Sequence, residues 1–283
     1  MAKRKVNRSA GGTAFLMIVL AVFCFLMALP LVYSLSTSLK PNEELWLFPP
    51  TFLVRNPTLK NFRDLYRVMS SSLVPMLRYI FNTVFIAVIG TGGHVLISSM
   101  CAYGLSKHRV PGRNVIFNLI VISLMFTSSV TSIPTFIIFK YLHMIDTHAS
   151  IILPAFAAPL GLYLMKQFME QMVPDTLLEA AKIDGASELR IFFRIVMPVV
   201  KPAWLTLIIF SFQGLWNVGA STFIYSEKLK TFNYAISQVM AGGIARAGAG
   251  AAASVVMLLV PLLVFILAQS SVVETMATSG MKE

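Results

Sequence analysis

The residues whose types and spacing could do chemistry are gathered between positions 166 and 201. Five acids (Glu170, Asp175, Glu179, Asp184, Glu188) and five bases (Lys166, Lys182, Arg190, Arg194, Lys201) fall there, ten of the 35 acidic and basic residues in the chain. Four scattered histidines, and no carboxylate pair inside the uncharged stretches, argue against bond-making catalysis. What this island offers is charge pairing and docking. Pro174 and Asp175 open a helix, because a proline and an acid both suit its first turn. Leu177, Ala180, Ala181 and Asp184 follow at the spacing that puts them on one face. Gly185 stops the helix, since glycine takes the left-handed stop position cheaply. Ser187 can cap a second helix with Glu188 in its first turn, and Leu189, Phe192, Phe193 and Val196 then make an apolar stripe ended by Pro198. The segment reads as a helix–turn–helix in which small Ala180 and Ala181 permit close approach of a partner. A DNA-reading helix–turn–helix has the same outline, but here acids balance bases and both ends are tethered to apolar runs.

Other polar residues stand inside uncharged sequence, where an unpaired polar group is costly. His94 follows Gly90-Thr91-Gly92-Gly93; these glycines suit close helix packing, because no Lys-Ser/Thr follows to make a phosphate loop. A neutral His94 could bond to a neighbouring backbone or hydroxyl group. Thr127, Ser128, Ser129, Thr131 and Ser132 precede Pro134, and their hydroxyls can either satisfy the carbonyls of a kinked helix or line a passage. Gln213 and Asn217 must face another helix or a passage. Thr127, Ser128, Thr131, Gln213 and Asn217 are the candidate pathway residues. Gly242, Gly243, Arg246, Gly248 and Gly250 sit in a run too glycine-rich for a stable isolated helix, so a flexible loop that can approach a partner's backbone is expected. Cys24 and Cys101 read as small buried hydrophobes, and no metal site is expected.

These groups must be positioned by membrane helices. The chain is 57% hydrophobic and 12% charged, about half the charged share of soluble domains. No Asp, Glu, Lys or Arg occurs in 9–39, 79–106, 114–139, 147–165, 202–226 or 247–273, and each interval can hold the ~20 residues of a spanning helix. The expected fold is all-α and integral to a membrane, one transmembrane domain over 1–283 with six spans at about 13–34, 79–105, 115–139, 151–169, 203–218 and 252–272. The net charge of +11 lies in loops with no long basic face, which suits juxtamembrane lysine and arginine rather than nucleic acid. Lys3, Arg4, Lys5 and Arg8, then Lys107, Arg109 and Arg113, put the amino terminus and the 106–113 loop inside. The 40–78 loop and the glycine-rich 219–250 segment are then external, and the 170–200 loop and both termini are cytoplasmic. The uncharged run from Thr13 to Val32 is too long for the apolar region of a cleaved signal peptide.

Glu179-Ala180-Ala181, then Asp184-Gly185-Ala186-Ser187, then nine residues after Gly185 the close Ile195-Val196-Met197-Pro198, resembles the EAA loop of ATP-binding-cassette (ABC) importer permeases. Ser38-Leu39-Lys40, Asn82, Ala102-Tyr103, Pro111-Gly112-Arg113, Ile133-Pro134, Trp216-Asn217 and Ala277-Thr278-Ser279-Gly280-Met281-Lys282 resemble the carbohydrate-uptake, maltose-type subgroup. Val218-Gly219-Ala220 and the final Glu283 depart from that pattern. The resemblance implies a type I importer permease whose coupling helix lies between spans four and five. Glu179, Ala180, Ala181, Asp184, Gly185, Ala186 and Ser187 would then dock a cytoplasmic ATPase, with Glu179 as the charged anchor and Gly185 as the bend. The Gly242–Gly250 loop would contact an external solute-binding protein. The implied partners are a second, similar permease in a heterodimer, two ATPase copies, the binding protein and membrane lipid, in the cell membrane of a prokaryote. The chain has no nucleotide motif, so no cofactor is expected on it, and ATP and Mg would belong to the partner ATPase. It would be a transport subunit rather than an enzyme, moving a sugar or oligosaccharide inward. The competing class is an ion-gradient-driven transporter, which would carry repeats and intramembrane ionisable groups; apart from His94 the spans lack them.

Overall fold

The computed structural model describes residues 10–70, 74–219 and 221–279. In chain order the helices are α1 (Ala10–Leu39), α2 (Asn42–Leu45), α3 (Lys60–Ser70), α4 (Met76–Lys107), α5 (Arg113–Ser123), α6 (Ser128–Tyr141), α7 (Ala149–Phe156), α8 (Pro159–Met172), α9 (Asp175–Ile183), α10 (Glu188–Ile191), α11 (Met197–Val199), α12 (Lys201–Trp216), α13 (Phe232–Met240) and α14 (Ala247–Ser279). A π turn, Phe192–Val196, joins α10 to α11, and no β-strand occurs among the described residues. Lys3, Arg4, Lys5 and Arg8, and the final Gly280 to Glu283, lie outside the described residues.

The uncharged intervals become helices because a backbone in hydrocarbon must satisfy its own hydrogen bonds. By length and composition, Gly11–Leu39, Met76–Lys107, Ala149–Met172 and Ala247–Gln269 can each cross a membrane. Glu188–Val199 and Lys201–Trp216 make a fifth if the pair, bent by 80°, counts as one. The interval 114–139 does not form one helix: α5 ends at Ser123, and α6 starts after Thr127, which has extended backbone (φ −78, ψ 152). The break falls where hydroxyl residues follow one another, and these favour helix starts over helix interiors. Proline sets the break between α7 and α8, with Pro159 in the first turn of α8.

Two expectations need correction. The 219–250 segment is not a flexible loop throughout. It contains α13, a 3₁₀ turn at Gly243–Arg246, and the first turn of α14, which takes in Gly248 and Gly250. Tertiary packing overrides the weak propensity of glycine there: a Cβ on Gly248 would collide with Asn61 and Asn42, and one on Gly250 would press Met240 Cγ at 3.2 Å. Cys24 and Cys101 are exposed on their helices rather than buried. In a membrane protein apolar sequence also covers the lipid-facing surface, so apolar surroundings in sequence do not imply burial.

The chain divides into two compact units. The first comprises residues 1–69 and 238–256. At the end of α1, Ser38 and Lys40 are buried, and Asn61 Nδ2 on α3 donates to the Ser38 carbonyl at 2.9 Å and the Lys40 carbonyl at 2.7 Å. Lys40 Nζ donates to the Thr51 carbonyl. The Glu44 carboxylate on α2 accepts from the N–H groups of Arg55 (2.9 Å) and Asn56 (3.4 Å) and from the Thr51 hydroxyl. Burial works against that charge, but these donors outweigh it and hold Glu44 below the usual carboxylate range.

The second unit comprises residues 70–237 and 257–283 and is organised on α4, which packs against α7, α8 and α12. One core joins Val95, Ala102 and Tyr103 of α4 to Met165 and Met169 of α8 and Ala203 and Leu207 of α12. Another joins Ile86 and Ala87 to Ile152, Leu215 and Trp216. Gly90 faces Leu215 and Gly93 faces Phe156, the small-residue packing expected of that run. At the start of α4, Asn82 is fully buried and its Nδ2 donates to the carbonyls of Lys228 (2.8 Å) and Lys230 (2.9 Å).

Asp146 clasps a second loop. It takes a positive φ of 59, a conformation that aspartate tolerates better than most residues. Its Oδ1 accepts from the N–H groups of Tyr225 (3.0 Å) and Ser226 (2.8 Å), and Oδ2 accepts from the Ser226 hydroxyl. The Ser226 hydroxyl and N–H, with the Tyr225 N–H, hold this carboxyl below its usual range against a smaller opposing effect of burial. A depressed folded-state pKa gives stabilisation that is present above the ordinary aspartate value of about 3.9 and is lost as pH falls through the lower folded value. Hydrogen exchange at the Tyr225 and Ser226 amides, corrected for intrinsic rate, is therefore expected to accelerate on acidification. Asp146→Asn should give fast exchange already at neutral pH.

Candidate functional site

The charged island folds as a hairpin against the end of α4. Asp175 lies in the first turn of α9, as its charge and Pro174 predict. Lys107 Nζ, at the end of α4, donates to Asp175 Oδ1 at 2.8 Å and to the Val173 carbonyl at 2.6 Å. That ammonium holds the Asp175 carboxyl below its usual range. At the other end of α9, Gly185 has φ +75. The Ala186 N–H bonds the Ala181 carbonyl and the Gly185 N–H bonds the Lys182 carbonyl, each at 3.0 Å, the double closure of a Schellman stop. Glycine is needed here because a side chain at that φ is strained.

The faces of the hairpin differ from the expected ones. Leu178 and Ala181 are buried, whereas Leu177, Glu179, Ala180 and Asp184 are exposed and Ile183 is 86% exposed. The expected common face of Leu177, Ala180, Ala181 and Asp184 is thus split, because Leu178 is the large side chain that α9 turns towards the core, and Ala181 goes with it. Ala186 is half-buried against the same core and Ser187 is exposed. Ser187 occupies the cap position but its side chain makes no capping bond. On the second helix Phe192 and Val196 are buried, while Leu189 and Phe193 are exposed. Pro198 does not end that helix. It sits within α11 after the π turn, which widens the ladder just before the residue that cannot donate. The 80° bend follows at Val200, and Trp204 Nε1 donates to the Met197 carbonyl at 3.0 Å, satisfying a group beside the bend.

Glu188 joins the hairpin to α4. Its Oε1 lies 2.8 Å from Lys182 Nζ, and its Oε2 accepts from Tyr103 Oη at 2.9 Å and lies 3.6 Å from His108 Nε2. The Tyr103 ring packs on Phe192 at 5.5 Å and edge-on to His108 at 5.0 Å. Among the described residues Glu179 has no ion-pair partner. Sequence reading missed Tyr103, Lys107, His108 and Glu188 as the seat of the hairpin. Their signal was faint: Lys107 counted only towards the charge of the 106–113 loop, Tyr103 only as part of the Ala102-Tyr103 resemblance, and Glu188 only as a first-turn acid.

The candidate pathway residues fall at the start of α6 and the end of α12. Thr127 and Thr131 are exposed at the start of α6, with Thr131 Oγ1 donating to the Thr127 carbonyl at 3.4 Å. Ser128 begins α6, but its side chain lies outside the described residues. Gln213 and Asn217 are exposed on one side at the end of α12, and Asn217 Nδ2 donates to the Gln213 carbonyl at 2.9 Å. His94 is buried, with Nδ1 3.1 Å from Ser211 Oγ and Nε2 3.1 Å from the Ala158 carbonyl. In the first unit, Gly243 and Arg246, with Trp46, Met240, Gly250 and Ser254, line an open cavity of about 320 Å³. Gly242 lies against the Arg246 side chain, and Gly243 takes a positive φ of 65.

Comparison with known proteins adds to this geometry. Residues 94–275, which include the hairpin, match the family described as the binding-protein-dependent transport system inner membrane component. The chain belongs to this family. Membership makes it a multi-pass membrane component of a transport system rather than an enzyme. Among relatives of this family, protein LplC of Bacillus subtilis is 35% identical over 67% of this chain and 61% of its own length. The polygalacturonan/rhamnogalacturonan transport system permease protein YtcP of B. subtilis is 33% identical over 73% of this chain and 69% of its own. The arabinooligosaccharides transport system permease protein AraQ of the same organism is 33% identical over 70% and 72%. The fold is shared with a bacterial ABC transporter involved in the import of the acidic polysaccharide alginate, at 22% identity and a TM-score of 0.77, over 93% of this chain and 98% of that one.

Proposed function

We propose that the chain is the transmembrane permease subunit of an ABC importer that carries a sugar or oligosaccharide into the cell by alternating access. The observation that carries this is the hairpin of α9 and α10. It is anchored to α4 at both ends yet turns Glu179, Ala180, Ile183 and Asp184 outward, as a site for a separate motor requires. The names of YtcP and AraQ support a saccharide cargo. In this reading there are six spans: α5 with α6 makes the third, and α12 with the bent segment before it makes the fifth. The hairpin, the 106–113 loop and both termini are cytoplasmic; the position of Lys107 against Asp175 supports a common side for the first two. Residues 1–283 then act as one permease domain. It pairs with a second permease in a heterodimer, and the complex takes two copies of an ATPase, one per permease, here on the outward Glu179, Ala180, Asp184, Gly185 and Ser187, with Ala181 and Ala186 seating the hairpin on the core instead. Gly242, Gly243, Arg246, Gly248 and Gly250 face the solute-binding protein, and Thr127, Ser128, Thr131, Gln213 and Asn217 border the passage.

An ion-gradient-driven transporter needs an intramembrane group that can exchange protons or ions. Both nitrogens of His94 are already engaged by Ser211 and the Ala158 carbonyl, which favours a structural histidine. The test is uptake into vesicles holding this chain with its partner permease, ATPase and binding protein. Uptake is expected to require ATP on the ATPase side and to survive a protonophore. Uptake that persists without ATP and collapses with the proton gradient would establish the other class.

A further inference from the structure

We propose that Glu188 is the positioning residue that carries displacement of the docking hairpin into α4. This rests on the reading of the hairpin as the ATPase dock. Three elements meet on its carboxylate: Oε1 turns to Lys182 on α9, and Oε2 turns to Tyr103 on α4 and His108 just after it. Glu188 itself opens α10. A load applied to the exposed face of α9 therefore reaches α4 at two points, through Asp175 and Lys107 at one end of α9 and through Lys182, Glu188 and Tyr103 at the other.

The second point is where direction is set. The Asp175–Lys107 pair joins the start of α9 to α4 without involving α10. Among the described residues, the Glu188 carboxylate is the polar group that ties the stop of α9, the start of α10 and α4 into one triangle. Its side chain and that of Lys182 are each half in solvent, where an ion pair adds little to stability. Attachment of the hairpin comes instead from the apolar contact of Leu178, Ala181, Ile191 and Phe192 with the core around Tyr103. Removing the carboxylate should thus leave the hairpin folded and able to dock, while loosening the transfer of its displacement to α4 at this end of α9. From α4 the displacement passes to α7, α8 and α12, with close contacts at Gly90, Gly93 and Gly161. Glu179 has a different part: it is exposed and free to meet the motor, whereas Glu188 is already engaged within the chain.

The experiment uses the complete complex in vesicles and reads ATPase co-purification, ATP hydrolysis and solute uptake for the wild type, Glu188→Ala, Glu188→Gln and Tyr103→Phe. Glu188→Ala is expected to keep co-purification and most hydrolysis while uptake per ATP falls about tenfold, the range of one lost coupling contact. Glu188→Gln, which can still bond Tyr103 and Lys182, should recover part of that loss. Tyr103→Phe keeps the ring packing and should lower uptake per ATP a few-fold, with no further loss when combined with Glu188→Ala, since both act through one contact. This double variant also tests the proposal should Glu188→Gln prove unstable. Wild-type uptake per ATP in Glu188→Ala, or additive losses in the double variant, would overturn the role of Glu188 and leave the dock standing. Failure of the ATPase to bind the wild-type hairpin would instead remove the docking reading and this inference with it.

Discussion

A leucine at position 161 is expected to destabilise the folded protein by about 3 kcal/mol. Gly161 on α8 lies against α4, and even a Cβ there would overlap His94 Nε2 and stand 2.7 Å from Ser98 Oγ. His94 cannot yield cheaply, because it bonds Ser211 on α12 on one side and the Ala158 carbonyl beside α8 on the other. Moving it breaks both bonds and leaves polar groups without partners in an apolar site. Overpacking costs about 1–3 kcal/mol and each lost intramembrane hydrogen bond adds about 0.6 kcal/mol, so a loss of about 3 kcal/mol is expected. Gly161→Ala should show part of it. Gly92 on the same helix as His94 has open space where a Cβ would go, so Gly92→Ala should unfold at the wild-type midpoint. Denaturation in detergent followed by circular dichroism checks all three, and a wild-type midpoint for Gly161→Leu would disprove the packing described for α4 and α8.

Charge reversal at Glu179 is expected to have the largest functional effect. Glu179 is exposed and makes no ion pair among the described residues, so Glu179→Lys breaks no contact within the chain. A lysine there faces Asp175 four residues back and Lys182 three ahead, changes worth a few tenths of a kcal/mol that largely offset. Insertion and folding should therefore match the wild type. Glu179 is the charged anchor of the proposed dock, and like charges brought together in an interface cost several kcal/mol. Recovery of the ATPase with the solubilised Glu179→Lys chain should fall at least tenfold, while Glu179→Gln loses less because it adds no repulsion.

Much of the fold was legible because hydrocarbon imposes simple rules: charge-free intervals predicted the long helices, and Gly185 predicted the stop of α9. The break between α5 and α6 was not, since a window without charges looks the same whether or not the helix pauses at Thr127. Gly248 and Gly250 misled for a related reason. Glycine lowers helix propensity locally, but the close approach of Asn42 and Asn61 to Gly248 is decided by residues nearly two hundred positions away. In the candidate site Phe192 and Val196 of the expected apolar stripe do face the core, whereas Ala181, expected beside Ala180 on the docking face, is buried. Whether Leu177 or Leu178 faces the core depends on where α9 meets α4, and periodicity alone does not fix that. The pairs Tyr103–Glu188 and Lys107–Asp175 span 85 and 68 residues, beyond the reach of any local pattern.

The most direct measurement of the central claim, that solute movement through this chain is driven at the 174–188 hairpin, is solute uptake and ATP hydrolysis recorded in parallel on vesicles containing the complete complex with wild-type or Glu179→Lys chain at equal insertion. Uptake at background, with hydrolysis no longer stimulated by solute-loaded binding protein, is the result predicted. Wild-type uptake together with normally stimulated hydrolysis in the Glu179→Lys vesicles would contradict it.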